Sequence, residues 1–118
     1  MYEKMKINHI NLTVNDAQAA RHFLEKYFGL KSMEGTADDA IFVGMSDEDG
    51  FVLTLMQRKT AVSYPDTFHI GFLKEGKERT QEIYRQLVDD GYDVKPPGFY
   101  HGDDLYINTP FGVTVQVS

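Results

Sequence analysis

Cysteine is absent from this sequence, and tryptophan is absent as well. Without a thiol the chain has no disulfide, no thiolate nucleophile and no cysteine ligand for zinc or an iron–sulfur cluster. Any metal that it binds must therefore be held by nitrogen and oxygen atoms of other side chains.

Positive charge and long apolar runs are also scarce. The chain has 12 Lys and Arg residues against 18 Asp and Glu residues, a formal net charge of −6, and its basic residues form no cluster. We expect no nucleic-acid partner, because phosphate neutralisation by basic side chains supplies most non-specific affinity.

No uncharged run approaches the ~18 residues of a membrane-spanning helix, and residues 1–6 lack the apolar stretch of a signal peptide. We therefore expect a soluble, cytoplasmic protein with no membrane partner.

The length and the apolar content are those of one folded domain. Hydrophobic residues make up 42% and aromatic residues 13% of the 118 positions. That content supports a packed core and argues against disorder. We expect a single domain over residues 1–118.

A weak internal repeat divides the chain into two similar halves. Residues 7–13 align with residues 67–73, which places His9 on His69. Apolar residues at helical spacing predict one helix in each half, over 16–28 and 77–90. Three short strand-like runs follow each helix, at 30–35, 40–45 and 51–57, and at 92–95, 104–108 and 112–118. The pattern predicts an α+β fold of two βαβββ modules, about 5–57 and 67–118, joined by a polar connector over 58–66.

Alternation along the strands separates an apolar face from a more polar one. The apolar face of the first strand carries Leu12 and Val14 and should cover a helix. The opposite side of four strands carries His9, Asn11, Thr54, His69 and Gln116. Sheets with such a partly polar face are either solvated there or curled around a shared cavity.

Aromatic and apolar side chains fall on this same side. Phe42, Met56 and Tyr106 do so by alternation, and Tyr100 and His101 lie in the loop before the run at 104–108. They predict an aromatic-lined pocket with a few polar groups. The alternative is that these aromatic side chains pack between the modules. The candidate substrate-binding residues are Asn11, Phe42, Thr54, Met56, Tyr100, His101 and Tyr106.

Several segments together resemble the vicinal oxygen chelate superfamily of glyoxalases, extradiol dioxygenases, fosfomycin-resistance transferases and bleomycin-resistance proteins. They are HINLTVND at 9–16, FGL at 28–30, the second opening His69-Ile70, and YINTPFGVTVQV at 106–117. The last segment looks like the family's aromatic-x-x-Asp-Pro-x-Gly-x-x-x-Glu signature, with Thr109 in the Asp position and Gln116 in the Glu position. The resemblance implies that the two modules form a curved mixed-sheet cleft, usually within a homodimer.

The resemblance also implies a divalent metal held by the first and last strand of each module. The matching positions here are His9, Thr54, His69 and Gln116, of which Thr54 departs from the usual Glu or Gln. We therefore expect His9, His69 and Gln116 as ligands of Zn, Ni, Mn or Fe. No anionic ligand offsets the charge of the metal, so its affinity should be weak. The alternative is that no metal binds and both histidines line a pocket for an organic ligand.

Two classes of function follow from this resemblance. The first is action on a small organic molecule in the cleft, with metal-assisted lyase, isomerase or transferase chemistry. The second is non-catalytic binding of a drug or metabolite, as in bleomycin-resistance proteins. Glyoxalase I chemistry itself is not expected, because neither Thr54 nor Gln116 can act as the base that moves a proton between adjacent carbons. The sequence assigns no catalytic residue.

Overall fold

The computed structural model describes residues 3–118. The prediction about the first six residues therefore falls partly on residues 1 and 2, which lie outside the described residues. The chain divides into two compact units, unit 1 up to Val62 and unit 2 from Ser63 to Ser118. The division lies within the predicted connector 58–66.

Unit 1 forms every element predicted for the first half. Its elements are β1 (His9–Val14), α1 (Ala17–Phe28), β2 (Lys31–Ser32), β3 (Phe42–Ser46) and β4 (Val52–Gln57). The sheet order is β1-β4-β3-β2, with β1 parallel to β4 and the other pairs antiparallel. Asp16 caps α1 by accepting the Ala19 N–H at 3.0 Å, and Gly29 ends the helix in the left-handed conformation.

Unit 2 has the same order of elements with one strand fewer. It contains β5 (His69–Phe72), α2 (Lys77–Asp89), β6 (Leu105–Asn108) and β7 (Thr114–Val117). Its described residues form a sheet of order β5-β7-β6, with β5 parallel to β7 and β6 antiparallel to it. Together the two units confirm the α+β class, with two helices and two mixed sheets.

The predicted strand at 92–95 is wrong: within the described residues this segment pairs with no strand. Pro96 and Pro97 follow it directly. Proline has no backbone N–H to donate to a ladder and restricts the residue before it. The predicted strand at 30–35 likewise shortens to Lys31–Ser32, because a turn with Gly35 in the left-handed region (φ +83°) follows it.

The predicted apolar faces of the strands form the two cores. Leu12, Val14 and Leu55 are at most 1% exposed in unit 1, where Leu24 and Ala20 of α1 are also buried. In unit 2 the buried strand residues are Leu105, Ile107, Val115 and Val117, with Ile83 and Leu87 from α2. Alternation therefore identified the buried side of β1, β6 and β7 correctly. In β5 the apolar side is only partly buried, and in β4 Thr54 on the opposite side is buried as well. None of the helices in residues 3–118 is long and apolar enough to cross a membrane.

Thr109 closes the turn between β6 and β7. Its hydroxyl donates to the Val113 carbonyl at 2.5 Å and accepts the Val113 N–H at 3.3 Å, and the residue is only 7% exposed. The side chain in the Asp position of the signature therefore has a structural role that holds the start of β7.

Replacing Thr109 with valine should lower the free energy of unfolding by about 1–3 kcal/mol, because the buried Val113 N–H loses its closest side-chain acceptor. Urea denaturation followed by circular dichroism measures the change. Thr109→Ser keeps the hydroxyl and should cost much less. Equal losses in both variants would show that the methyl group, rather than the hydrogen bonds, matters at this turn.

Candidate functional site

One side of the unit 2 sheet carries polar and aromatic side chains, and we call it the polar face. It consists of His69, Tyr106, Asn108, Thr114 and Gln116. They are partly or fully exposed, and they alternate with the buried residues of β6 and β7 and with the partly buried Ile70 and Phe72 of β5. The register places Tyr106 opposite Gln116, and Asn108 and His69 on either side of Thr114. The polar face is therefore a continuous surface across the three strands of this sheet.

A cavity of about 400 Å³ lies against this polar face. Tyr106, Asn108 and Thr114 contribute from the strands, and Tyr100 contributes from the loop before β6. The other lining residues are Asp66, Asp93, Val94 and Lys95. The segment that fails to form a strand therefore supplies one wall of the cavity, so its side chains are available to a ligand.

The aromatic rings around the cavity contact one another edge to face. The Tyr106 ring lies 6.4 Å from the His69 ring and 5.9 Å from the Tyr100 ring, and Tyr100 lies 4.8 Å from Phe99. The Lys95 ammonium lies over the Phe99 ring at 5.6 Å. Edge-to-face contacts of this kind stabilise ring orientation. Tyr106 therefore connects the histidine of β5 with the aromatic loop.

The ring of His69 is held in one tautomer when it is neutral. Its Nδ1 lies 2.9 Å from the Thr67 carbonyl oxygen, which can only accept, so Nδ1 carries the proton. The lone pair is then on Nε2. Metal-binding histidines commonly show this arrangement, in which one ring nitrogen donates to a carbonyl and the other binds the metal.

The amide of Gln116 is held in a similar way. Its Nε2 donates to Asp104 Oδ2 at 2.7 Å, which leaves the amide oxygen as the acceptor end. The His101 ring lies near the same carboxylate oxygen, at 3.6 Å from Nδ1, with 81% of its side chain exposed. Asp104 is thus the direct partner of Gln116, and His101 stands at its solvent side.

The predicted donor set fits a divalent metal in part. His69 offers an imidazole nitrogen and Gln116 an amide oxygen from the same polar face, and both are atoms that first-row metals accept. Their Cα atoms are about 8 Å apart, given two residues along a strand and one strand spacing. Across residues 3–118, however, no group of three His, Asp or Glu side chains could hold a metal. The set His9, His69 and Gln116 stays a prediction.

In unit 1 the predicted residues lie on the side of the sheet opposite Leu12 and Leu55, and their exposure differs. His9 is exposed at the start of β1, and Asn11 is exposed two residues further. The Thr54 hydroxyl donates to Asn11 Oδ1 at 2.7 Å, and Thr54 is only 7% exposed. The hydroxyl proton of Thr54 is therefore already donated to Asn11, and the residue presents little surface to a ligand.

Phe42 and Met56 pair directly across β3 and β4 on this side. They are 54% and 48% exposed, so neither belongs to the core of unit 1. Their predicted role in substrate binding stays a prediction.

The cavity of unit 2 includes two of the predicted substrate-binding residues, Tyr100 and Tyr106. His101 lies in the same loop but does not line it, and Asn11, Phe42, Thr54 and Met56 belong to unit 1. The lining residues that the sequence did not point to are Asp66, Asp93, Val94, Lys95, Asn108 and Thr114. Strand alternation contained the signal for Asn108 and Thr114, since they share the side of Tyr106 and Gln116. The other four lie in loops, which alternation does not describe.

Comparison with protein families gives a match to the model described as Glyoxalase/Bleomycin resistance protein/Dioxygenase superfamily, over residues 6–117. A solved structure described as a possible glyoxalase from Bacillus cereus is 48% identical. It matches 97% of this chain and 98% of its own length, with a TM-score of 0.86.

More distant solved structures share the fold. A glyoxalase/dioxygenase from Nostoc punctiforme is 21% identical, with a TM-score of 0.73 over 95% of this chain and 88% of its own. The fosfomycin resistance protein FosX from Listeria monocytogenes, solved as a mutant with Mn(II) and dihydroxypropylphosphonic acid, is 18% identical, with a TM-score of 0.77 over 98% and 92%. Comparison with curated proteins gives no match. The family model covers nearly the whole chain and agrees with the two-unit α+β architecture, so the chain belongs to the Glyoxalase/Bleomycin resistance protein/Dioxygenase superfamily.

Proposed function

We propose that this protein binds a small organic molecule in the cavity on the polar face of unit 2. The observation that carries the proposal is the cavity itself, about 400 Å³ in volume, which falls within the roughly 300–1,000 Å³ of typical small-molecule sites. Tyr100 and Tyr106 supply aromatic surface. Asn108 supplies an amide NH₂ and Thr114 a hydroxyl oxygen, since the Thr114 hydroxyl donates its proton to Asn108 Oδ1 at 3.2 Å. A planar ligand with a few hydrogen-bonding groups matches this lining.

The charges around the cavity favour a cation. Two carboxylates, Asp66 and Asp93, line it together with one ammonium, that of Lys95. Lys95 directs its ammonium over the ring of Phe99, a residue that does not line the cavity. An aromatic amine would combine attraction to the carboxylates with edge or face contacts to the tyrosine rings. We therefore propose protonated aromatic amines as the preferred ligands.

Two probes that differ in the sign of their charge test this preference. Titrating ¹⁵N-labelled protein with 2-phenylethylammonium should shift the amide resonances of residues 93–95, Tyr106 and Thr114, while 3-phenylpropionate should bind about tenfold more weakly or worse. Asp93→Asn should weaken binding of the cation by about 0.5–1.5 kcal/mol, the size of one partly exposed charge interaction. Asp89→Asn removes the same charge from an exposed residue of α2 and is the control.

Equal binding of both probes would contradict the charge preference. Shifts confined to residues outside the cavity would contradict the proposed site. Identical losses in Asp93→Asn and Asp89→Asn would show that only the net charge of the protein attracts the cation.

A second candidate is metal-assisted chemistry with His69 and Gln116, and His9 as the third predicted ligand. The hydrogen bond from His69 Nδ1 to the Thr67 carbonyl favours it, because it leaves Nε2 as a lone-pair donor. A bound divalent metal would act there as a Lewis acid toward oxygen atoms of a substrate. His69 and Gln116 would hold the metal. Tyr106, whose ring contacts those of His69 and Tyr100, would cover one side of the site.

The reaction class in this second candidate remains a choice among lyase, isomerase and transferase. Gln116 is an amide and takes no proton at neutral pH, so a proton transfer would need another base. Equilibrium dialysis against Mn²⁺, Ni²⁺ and Zn²⁺ tests the candidate, with stoichiometric uptake as the expected result. We also propose a homodimer, which the family resemblance supports.

A further inference from the structure

Asp104 lies immediately before β6, in a loop that the backbone holds firmly. Its N–H donates to the His101 carbonyl at 3.0 Å, and its own carbonyl accepts the Gly98 N–H at 2.9 Å. Gly98 has a φ of +86°, and a Cβ there would lie 2.8 Å from the Gly102 carbonyl oxygen. Only glycine fits at that position, so the loop has little freedom where it delivers Asp104 to the sheet.

The carboxylate of Asp104 reaches the polar face of unit 2. Asp104 precedes Tyr106 by two residues, so both point to the same side, and Tyr106 pairs with Gln116 on β7. The Gln116 amide donates to Asp104 Oδ2 at 2.7 Å, while the Asp104 side chain is 17% exposed. A hydrogen bond to a partly buried carboxylate is among the stronger kinds in proteins.

This contact decides which end of the Gln116 amide is available to a ligand. A carboxylate only accepts, so it selects the NH₂ end of the amide and leaves the oxygen on the other side. Without it, the amide can rotate and present either end. We infer that Asp104 is a positioning residue that holds the Gln116 amide with its NH₂ end on the carboxylate and its oxygen free to act as the acceptor end. Gln116 does not line the cavity, so this inference rests on the metal candidate alone, in which the amide oxygen is a predicted ligand.

The same contact favours an amide over a carboxylate at position 116. A glutamate there would place its carboxylate against that of Asp104, at the distance of the present hydrogen bond. Two ionised carboxylates so close repel each other strongly in a partly buried place. The negative charge of this part of the polar face is therefore carried by Asp104, and position 116 supplies a neutral oxygen. This accounts for the absence of a carboxylate at the position where the family signature has glutamate.

The side-chain amide resonances of Gln116 test the orientation directly. In wild-type protein the amide proton donated to Asp104 should resonate downfield of exposed glutamine amides. Asp104→Ala should move it upfield, and Asp103→Ala, which removes the same charge from the exposed neighbouring residue, should leave it in place. An unchanged resonance in Asp104→Ala, or equal changes in both variants, would overturn the inference.

An exchange of the two groups provides a second test. Gln116→Glu should lower the melting temperature by several degrees, because the two carboxylates repel each other. The double variant Asp104→Asn/Gln116→Glu should regain most of that loss, since the amide introduced at position 104 would then donate to the new carboxylate. Equal melting temperatures of the single Gln116→Glu variant and the double variant would overturn the inference.

Metal affinity separates positioning from a purely structural role. If wild-type protein takes up Mn²⁺, Asp104→Ala should weaken its affinity for Mn²⁺ by about 10- to 100-fold, the loss typical of removing a partner of a metal ligand. Asp103→Ala should weaken it by less than about twofold. Unchanged Mn²⁺ affinity in Asp104→Ala would overturn the inference. Failure of wild-type protein to take up any metal would contradict the metal candidate alone, because the amide resonances and the charge exchange report on Asp104 in the absence of metal.

Discussion

Replacing His69 with alanine should weaken the uptake of Mn²⁺ or Ni²⁺ by at least about 100-fold if the metal candidate is correct. The ring of His69 is one of three predicted ligands, and removal of a direct ligand should cost more than the 10- to 100-fold lost with its partners. The hydrogen bond from Nδ1 to Thr67 presents Nε2 in the form that binds a metal, so the site loses a prepared donor. Equilibrium dialysis or isothermal titration measures the affinity.

His22→Ala is the matched control for this experiment. His22 is an exposed residue of α1 and has no part in the predicted ligand set. Equal affinities of the His69→Ala and wild-type proteins would remove His69 from the metal site. Binding of 2-phenylethylammonium to the same His69→Ala protein shows whether the organic-ligand cavity survives the substitution, so the two proposed functions are separated by one variant.

The largest effect on stability should come from Leu55→Ala, with a loss of about 2–5 kcal/mol in the free energy of unfolding. Leu55 is completely buried and lies in β4, which has β1 on one side and β3 on the other. Truncation there removes apolar contacts and leaves a cavity. Because β4 is paired on both sides, the neighbouring strands cannot shift to fill that cavity. Chemical denaturation with urea measures the loss.

The neighbouring residue supplies a control on the same strand. Met56 is 48% exposed on the opposite side of the sheet, so Met56→Ala should cost less than about 1 kcal/mol. Similar losses in the two variants would contradict the assignment of Leu55 to the buried side and Met56 to the exposed side. That assignment is also the basis for placing Thr54 and Phe42 with respect to the core.

Strand alternation and helical spacing predicted most of the fold. The intervals between apolar residues gave helices that agree closely with Ala17–Phe28 and Lys77–Asp89. The sequence assigns Leu12 and Val14 to the core, because a strand has a period of two and one buried side requires regular apolar residues. These are local regularities, and each can be read from a few neighbouring positions.

The segment 92–95 shows where local regularity is insufficient. Its apolar residues alternate like those of a strand, but a strand also needs a partner that receives its hydrogen bonds. Pro96 and Pro97 limit what the backbone can donate and where it can go. In the folded unit this segment lines a cavity, with Asp93 and Lys95 among the lining residues. Their spacing in the sequence did not indicate that position.

Gln116 shows the same limit at the level of a single side chain. Alternation placed it correctly on the polar face beside Tyr106. Its partner Asp104 lies in a loop 12 positions earlier, where the backbone follows turns set by Gly98 and Gly102. The sequence suggested a weakened metal site at position 116, whereas the structure shows an amide held by a neighbouring carboxylate.

The sequence by itself determined the family, the two similar halves and the buried side of most strands, because these depend on motifs and periods within short segments. Only the tertiary structure decided that Asp104 holds Gln116, that Thr109 closes a turn, and that residues 93–95 form a wall of the cavity. The physical reason is that hydrogen bonds and cavities depend on the positions of loops. Loop positions are set by turns and by contacts between distant residues, which no local period encodes.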